Sequence, residues 1–249
     1  MKNETPDSTA LTPNPSIAVP STLSPSVDQF GREQLDFEDI EIPKVEVVQF
    51  SSKVAKAEPP DRIELGTLIN SVSHSKLDGV FLPLFRYVDF VKWNPKNKQD
   101  PNFDSAFDPG QRVFSSSNPR DPRVFGKTEF GPNGETPEVE RRINFLCFFP
   151  SSPDMPLILT FKKTSYNEGK KFSTMTLHDG YMFARKYQLK WEQEDKGKGH
   201  YYKHWCVPAG ISSTEEMAAA KKWFDLFIGK KIKVHDEVEV EKTGEGFSD

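Results

Sequence analysis

Aromatic and basic side chains alternate in the segment 156–208, and these are the residue types in this chain best suited to binding chemistry. Between Leu157 and Lys203 there are ten Lys or Arg residues against five Asp or Glu residues, in a chain of net charge −4. Rings stack on unpaired bases, and cations neutralise phosphates and release counterions. The pattern therefore predicts a surface that binds a single nucleic-acid strand.

The candidate contacts fall into two chemical classes. Rings on strands would stack on bases at about 1–3 kcal/mol per base, and cations beside them would contact phosphates. The alternative interpretation places the rings in the core and the lysines on a solvated face, which is common for strands. The candidate rings are Trp93, Tyr187, Trp191, Tyr201 and Trp205, and the candidate cations are Lys162, Lys163, Lys170, Lys171, Arg185, Lys190 and Lys203.

The C-terminal residues form an acidic tail. From Asp236 onward there are six acids against Lys242 alone, and an aromatic residue lies near the tip. Such a tail is typical of proteins that bind single-stranded DNA and recruit replication enzymes, and the alternative is a solvated tail without a partner. The candidate partner-binding residues are Asp236, Glu237, Glu239, Glu241, Phe247 and Asp249.

Metal and catalytic signatures are weak. His200, His204 and Cys206 share one face of a predicted strand, with His178 upstream, but their spacing matches no zinc signature. The chain has no P-loop, no G-x-S-x-G, no H-E-x-x-H and no dinucleotide fingerprint. We therefore predict no enzyme activity, no metal and no cofactor, and a metal-dependent nuclease with scattered ligands stays an alternative.

The composition predicts one folded domain with extended ends. Residues 1–35 are rich in Pro, Ser and Thr and predict a disordered arm, 36–235 are expected to fold, and 236–249 form the acidic tail. No apolar run approaches the roughly 18 residues of a membrane helix, and the N-terminus lacks the apolar core of a signal peptide. Cys147 and Cys206 are expected to be buried free thiols. These features predict a cytoplasmic protein without a membrane partner.

Hydrophobic alternation predicts a mainly β domain. Asp78-Gly79 is a strong turn signal and predicts a hairpin whose second arm is long and central. A turn-rich insertion at 94–138 contains Arg-Val-Phe twice, at Arg112 and at Arg123, which suggests two short strands. The predicted strands are 42–48, 68–72, 80–93, 140–149, 157–162, 182–192, 200–207 and 230–233.

Two capping boxes predict two helices. Ser165 and Glu168 open the first, from Tyr166 to about residue 177, although Gly169 is a poor helix former. A second box at 213–216 opens a helix at 215–228, which Gly229 would end. The first helix would therefore lie between strands and the second would follow the last long strand.

In its succession of segments the chain resembles the single-stranded-DNA-binding proteins of tailed phages. The resemblance covers about 40–234 and rests on the segments IPKVEVVQF, GTLIN, FLPLFRYVDFVKW, INFLCFFP, PLILTFKKT, YMFARKYQLKWEQE and KGKGHYYKHWCVP. It implies an OB-fold, a five-stranded barrel with a helix between its third and fourth strands.

This resemblance also implies a function. Single strands would be bound with little sequence specificity during phage DNA replication or recombination, in the cytoplasm of the host cell. Phage replication or recombination proteins would bind the acidic tail. The insertion 94–138 is longer than a minimal OB barrel contains, so a β-sandwich also fits the strand pattern. The alternative function is an interaction or virion-associated β protein that does not bind nucleic acid.

Overall fold

The computed structural model describes residues 41–50, 52–132, 136–178, 180–196, 199–230 and 232–234. All of them fall within one compact unit. The predicted disordered arm and the predicted acidic tail, including the six candidate partner-binding residues, lie outside the described residues.

Strands dominate the described chain, which confirms the mainly β prediction. Both predicted helices are present, α1 (Tyr166–Met175) between strands and α2 (Thr214–Phe227) after the last long strand. The strands are β1 (Glu41–Ile42), β2 (Val45–Val47), β3 (Leu68–Asn70), β4 (Val80–Trp93), β5 (Arg112–Ser116), β6 (Glu140–Phe149), β7 (Ser152–Phe161), β8 (Arg185–Lys196), β9 (Gly199–Ile211) and β10 (Lys233–Val234).

Five long strands form the main sheet in the order β7-β6-β4-β8-β9, and β5 pairs with the distal end of β4. In chain order α1 lies between the third and fourth of these strands, as the OB resemblance implies. The barrel is not closed, because within the described ranges no ladder joins β7 to β9. A side chain spans this seam, with Nε2 of His204 on β9 lying 3.1 Å from the Thr160 carbonyl on β7.

The face of the main sheet covered by α1, called the inner face, carries the larger core cluster. Phe145 on β6 and Phe172 on α1 have ring centroids 4.5 Å apart, and Phe172 also meets the ring of Phe161. Gly169 makes this approach possible, since a Cβ there would lie 2.5 Å from the Cβ of Phe161. The glycine that weakens the helix prediction is thus the residue that lets α1 pack on β7.

The opposite face, called the outer face, packs against α2. Leu146 and Phe148 of β6 and Ile158 of β7 form a second buried cluster with Ala220 and Phe227 of that helix. Ser213 caps α2, because its side chain accepts a hydrogen bond from the Glu216 amide and Glu216 accepts one from the Ser213 amide. The second capping box is therefore confirmed.

Three local predictions are wrong. The β3 strand pairs with β2, and among the described residues its one other pairing is a bridge from Ile69 to Lys76, so no hairpin joins it to β4 there. The first Arg-Val-Phe forms β5, but the second, at Arg123, lies in turns. Ser165 makes no capping hydrogen bond to α1, because its hydroxyl is engaged with the backbone of Lys162.

None of the helices within the described ranges has both the length and the apolar character needed to cross a membrane. Cys147 and Cys206 are buried free thiols in the inner core cluster, as expected. Burial raises the pKa of both thiols, so they stay protonated.

Candidate nucleic-acid interface

The ring of Tyr187 is buried, which corrects its inclusion among the stacking residues. Only 1% of the residue is exposed, and its ring packs against Phe172 at a centroid distance of 4.9 Å. Its hydroxyl donates to the Met175 carbonyl at 3.0 Å. The alternation along β8 turns this position toward the inner core, so no base reaches the ring in this structure.

The other predicted rings are half-buried. Trp191 packs against the inner core, and its Nε1 donates to the Gly66 carbonyl at 2.8 Å. The Tyr201 hydroxyl donates to Glu194 at 2.6 Å. Trp205 lies directly opposite Lys190 across the β8–β9 ladder. These rings already have intramolecular contacts, and they do not line one common trough.

The predicted cations lie in three groups. Lys163, Lys170 and Lys171 are exposed on or beside α1, and Lys203 lies 3.9 Å from Glu168 of that helix. Lys162 follows β7, and Trp93 ends β4, where its ring centroid lies 5.9 Å from the Arg142 guanidinium. Arg185 and Lys190 are exposed on β8. The single trough predicted from the sequence is therefore divided among separate surfaces.

Around α1, cations and rings are interleaved. Nζ of Lys170 lies 5.0 Å from the ring centroid of Tyr166. The guanidinium of Arg141 on β6 lies 5.6 Å from the same ring and 5.9 Å from the ring of Phe90 on β4. Phe90 and Arg141 are direct cross-strand partners, so the ladder itself sets this spacing.

This row continues into the insertion. Phe114 on β5 packs against a small buried cluster made by Phe90, Val124 and Val139. The guanidinium of Arg123 lies 4.8 Å from the Phe114 ring centroid. We call this row the cation–aromatic band, and its members are Phe90, Phe114, Arg123, Arg141, Tyr166 and Lys170.

The insertion is held in place by hydrogen bonds from Asn94 and by two ion pairs of Glu138. Nδ2 of buried Asn94 donates to the carbonyls of Asp104 and Phe107 at 2.9 and 2.8 Å. Glu138 pairs with Lys92 of β4 at 2.6 Å and with Lys127 at 3.6 Å. These contacts fix the position of the band's distal end relative to β4.

Two phenylalanines on the insertion are highly exposed. Phe125 is 75% exposed and Phe130 is 68% exposed, although the preceding Val124 is fully buried. Rings this accessible are free to stack on a ligand without unpacking the core. Sequence reasoning missed them because they lie in a turn-rich segment without strand alternation. The available signal was the same Arg-Val-Phe repeat, which places a ring two residues after Arg123.

A cluster of buried polar residues lies on the outer face, beyond the contacts with α2. Asp89 on β4 accepts hydrogen bonds from Nε of Arg142 at 3.0 Å and from Nη2 of the same residue. Nδ2 of Asn144 donates to this carboxylate at 2.8 Å, and the Thr160 hydroxyl donates to Oδ1 of Asn144 at 2.8 Å. Asp89 therefore already accepts three hydrogen bonds.

Lys44 lies beside this network at the edge of β7. Its backbone forms a parallel bridge with Ile158 and exchanges hydrogen bonds with Ser71 at 2.9 Å. Burial first, and then the positive charges of Arg142, Lys162 and Arg112, lower the pKa of Lys44 to about 7. We call these groups the Lys44 cluster, and its members are Lys44, Tyr87, Asp89, Arg112, Arg142 and Lys162.

Tyr87 contributes a buried hydroxyl to the Lys44 cluster. The hydroxyl oxygen has no hydrogen-bond partner among the described residues. Burial, followed by the charge of Asp89, raises the pKa of Tyr87, so the hydroxyl remains a donor. Sequence reasoning missed this cluster, although Asp89 and Arg142 are charged residues within apolar strand segments, which is unusual.

In the described part of the chain, no group of three or more His, Cys, Asp or Glu residues is placed to hold a metal ion. His204, a candidate ligand, faces the Phe161 ring at a centroid distance of 4.9 Å and contacts the Thr160 carbonyl. Burial lowers the pKa of His204 to about 4, so its imidazole is neutral near pH 7.

Comparison with protein-family models gives a match. Residues 14–233 match the model of a family described as Pam3 phage gp34-like protein, which is most of the chain. No curated protein and no solved structure matches.

Proposed function

From the premise that this chain belongs to the Pam3 phage gp34-like protein family, we propose that it binds single-stranded DNA along the cation–aromatic band. The family match supports the phage affiliation expected from the sequence. Our proposal adds to this affiliation that the chain binds single strands with little sequence specificity during phage replication or recombination.

The interleaving of exposed cations with the half-buried rings of Phe114 and Tyr166 carries this proposal, while Phe90 of the same band is buried. Lys170 and Arg141 share the Tyr166 ring, and Arg123 lies over Phe114 at the other end of the band. A single strand presents phosphates and unpaired bases in alternation, so cations and rings along one track suit both parts. Lys163 and Lys171, both exposed beside α1, add positive charge along the same track.

Strand order gives further support. OB-folds bind oligonucleotides on the face of strands 2 and 3 and through the loops that connect strand 1 to strand 2 and strand 4 to strand 5. In the main sheet the first two long strands are β4 and β6, and the insertion that carries Arg123 and Phe125 lies between them. In chain order the band's distal end therefore corresponds to the loop between the first two strands, which OB-folds use for binding.

Titration of labelled oligothymidylate against the full chain, followed by fluorescence anisotropy, tests the proposal. We expect saturable binding that weakens with salt, with a linear slope of log affinity against log salt concentration. Lys170→Ala should reduce the magnitude of that slope by about 1, because one phosphate contact is lost. Phe125→Ala should weaken binding by about 1–3 kcal/mol if one base stacks on this ring.

Lys222→Ala provides the matched control, since Lys222 is an exposed lysine on α2, away from the band. It should leave both affinity and salt slope unchanged. An absence of saturable, salt-dependent binding by the unmodified chain would refute the proposal. Equal effects of the Lys170 and Lys222 variants would show general charge attraction instead of a defined interface.

A protein that contacts other phage components without binding nucleic acid is the competing outcome. It would appear as co-purification with virion proteins together with indifference to oligothymidylate. Magnesium-dependent loss of a labelled strand would instead indicate a nuclease.

A further inference from the structure

We propose that Glu168 limits the affinity of this chain for a polyanion, because its carboxylate holds two lysines that a nucleic-acid backbone would otherwise contact. These lysines are Lys171 on α1 and Lys203 on β9. The inference rests on the proposed function, since it concerns the regulation of the same basic surface around α1. It makes Glu168 an internal competitor of phosphate.

One oxygen of Glu168 lies between two ammonium groups. Its Oε1 accepts a hydrogen bond from Nζ of Lys171 at 2.9 Å and lies 3.9 Å from Nζ of Lys203. Lysines bind a phosphodiester through the same charge-assisted contacts to an anionic oxygen. The carboxylate oxygen therefore takes a position that a phosphate oxygen could occupy between these two side chains.

Both lysines are open to a ligand from solvent. The Lys171 side chain is 68% exposed and the Lys203 side chain is 28% exposed, whereas that of Glu168 is 16% exposed. Lys203 is also paired with Glu194 at 3.6 Å, but at these distances neither acid accepts a hydrogen bond from it. A phosphate oxygen at hydrogen-bond distance would thus be a better partner for Lys203 than either acid is.

Lys170, on the same helix, provides the contrast. Its Nζ lies 5.0 Å from the ring centroid of Tyr166, and among the described residues it has no acidic partner. Lys170 is therefore available to phosphate at once. Lys171 and Lys203 must first be released by Glu168.

Glu168 would oppose a bound strand in two ways. Its pairing must be broken before the two lysines can turn fully toward phosphates, and its own charge repels an approaching phosphate. An exposed ion pair between residues three apart on a helix is weak and is screened by salt, so a strand can displace it. Glu168→Gln removes the charge while keeping the size of the side chain, so it should release both lysines without unfolding α1.

Fluorescence anisotropy with labelled oligothymidylate, repeated across salt concentrations, measures this release. Glu168→Gln should steepen the slope of log affinity against log salt concentration by about 1–2, because one or two phosphate contacts are gained. At about 0.1 M salt each contact should tighten binding roughly tenfold. Glu215→Gln is the matched control and should leave the slope unchanged, since it makes the same change in net charge at an exposed position on α2, which packs on the outer face.

Lys203→Met tests the pairing from the other partner. Methionine keeps the apolar stem of the side chain and removes the charge. In the unmodified chain this change should alter the slope less than Lys170→Met does, because Lys203 is already held by Glu168. In the Glu168→Gln background it should lower the magnitude of the slope by about 1, so the two substitutions are not additive.

Retention on immobilised heparin separates this inference from the proposed function, because heparin is a polyanion without bases. Glu168→Gln should elute at a higher salt concentration than the unmodified chain and Glu215→Gln. If that gain is seen while oligothymidylate is not bound saturably, the proposed function fails and the role of Glu168 stands. If oligothymidylate is bound but neither probe detects a gain, only the role of Glu168 is refuted.

Equal slopes for the Glu168→Gln and Glu215→Gln chains would overturn the inference. Equal effects of Lys170→Met and Lys203→Met in the unmodified chain would also overturn it, and this comparison does not require the Glu168 variant to fold. A chain that bound neither heparin nor oligothymidylate would refute both the inference and the proposed function.

Discussion

At the scale of single residues, the environment of a side chain decides its role more than its type does. Tyr187 and Phe125 both lie close to cationic residues in the sequence, yet one is buried in the core and the other is 75% exposed. Alternation along β8 correctly separates two faces, but it does not say which face the sheet turns inward. That choice depends on α1 and β9, which are distant in sequence, so the predicted stacking residues were partly wrong.

The Lys44 cluster shows a second limit of sequence reasoning. Asp89 and Arg142 are 53 residues apart and meet only because β4 and β6 pair in this register. Lys44 joins them from the edge of β7. A charged residue within an apolar strand predicts a buried partner, but a single sequence does not identify that partner.

Lys44 should make stability depend on pH in the alkaline range. Its pKa is lowered from 10.5 to about 7 in the fold, so between these values the unfolded chain binds a proton that the folded chain does not. Stability should therefore rise with pH from about 7 to 10 and be lost as pH falls through this window, with a slope approaching about 1.4 kcal/mol per pH unit. Lys44→Met should abolish this contribution.

Urea unfolding of both proteins between pH 7 and 9.5 measures the difference. Comparison with the variant cancels the contributions of other titrating groups. Parallel stability profiles for the two proteins would show that Lys44 titrates near its ordinary pKa in the fold.

At the scale of elements, the sequence predicted which strands and helices form better than it predicted which strands pair with each other. The bounds of β6 and the position of α2 follow from local patterns, namely alternation and a capping box. The wrong hairpin at Asp78-Gly79 has a physical explanation. Gly79 does adopt a positive φ of 80°, as a turn requires, but β4 continues to its long ladder with β6, while β3 pairs with β2.

Loss of the α2 cap should have a measurable cost. Ser213→Ala removes the acceptor for the Glu216 amide, and we expect a loss of about 1 kcal/mol of unfolding free energy. Asn167→Ala, at an exposed position on α1, is the control and should be nearly neutral. Denaturant unfolding of both variants gives the comparison, and equal stability of the two would mean that the Ser213 cap contributes nothing.

Gly169→Ala should destabilise the protein even though alanine is the better helix former. The added Cβ would lie 2.5 Å from the Cβ of Phe161, so either α1 or β7 must move. Overpacking of this kind costs about 1–3 kcal/mol, which exceeds the gain of about 1 kcal/mol in helix propensity. Ser173→Ala on the same helix is the matched control, and thermal unfolding would contradict the argument if the glycine variant were the more stable of the two.

At the scale of the whole molecule, the resemblance predicted an OB barrel. The described residues contain five long strands with a helix after the third, but no ladder between β7 and β9 closes the barrel. The open seam between β7 and β9 is the place where sequence patterns are least informative, because closure depends on the curvature of every strand. The side chain of His204 spans this seam by its contact with the Thr160 carbonyl and by its packing on Phe161.

This seam should open as pH falls. Burial lowers the pKa of His204 from 6.5 to about 4, so between these values the unfolded chain takes up a proton that the folded chain excludes. The stability contributed by the neutral imidazole is complete above about pH 6.5 and is lost as pH falls toward 4, by roughly 3 kcal/mol. His204→Gln keeps a donor for the Thr160 carbonyl but does not titrate, so its acid profile should lack this loss.

Urea unfolding at pH 4.5–7.5, together with hydrogen exchange on β9, tests both the loss of stability and the opening of the seam. Early exchange of β9 amides in acid, absent from the variant, would show that the seam opens first. An unchanged difference between the two proteins across this range would mean that His204 protonation does not control it.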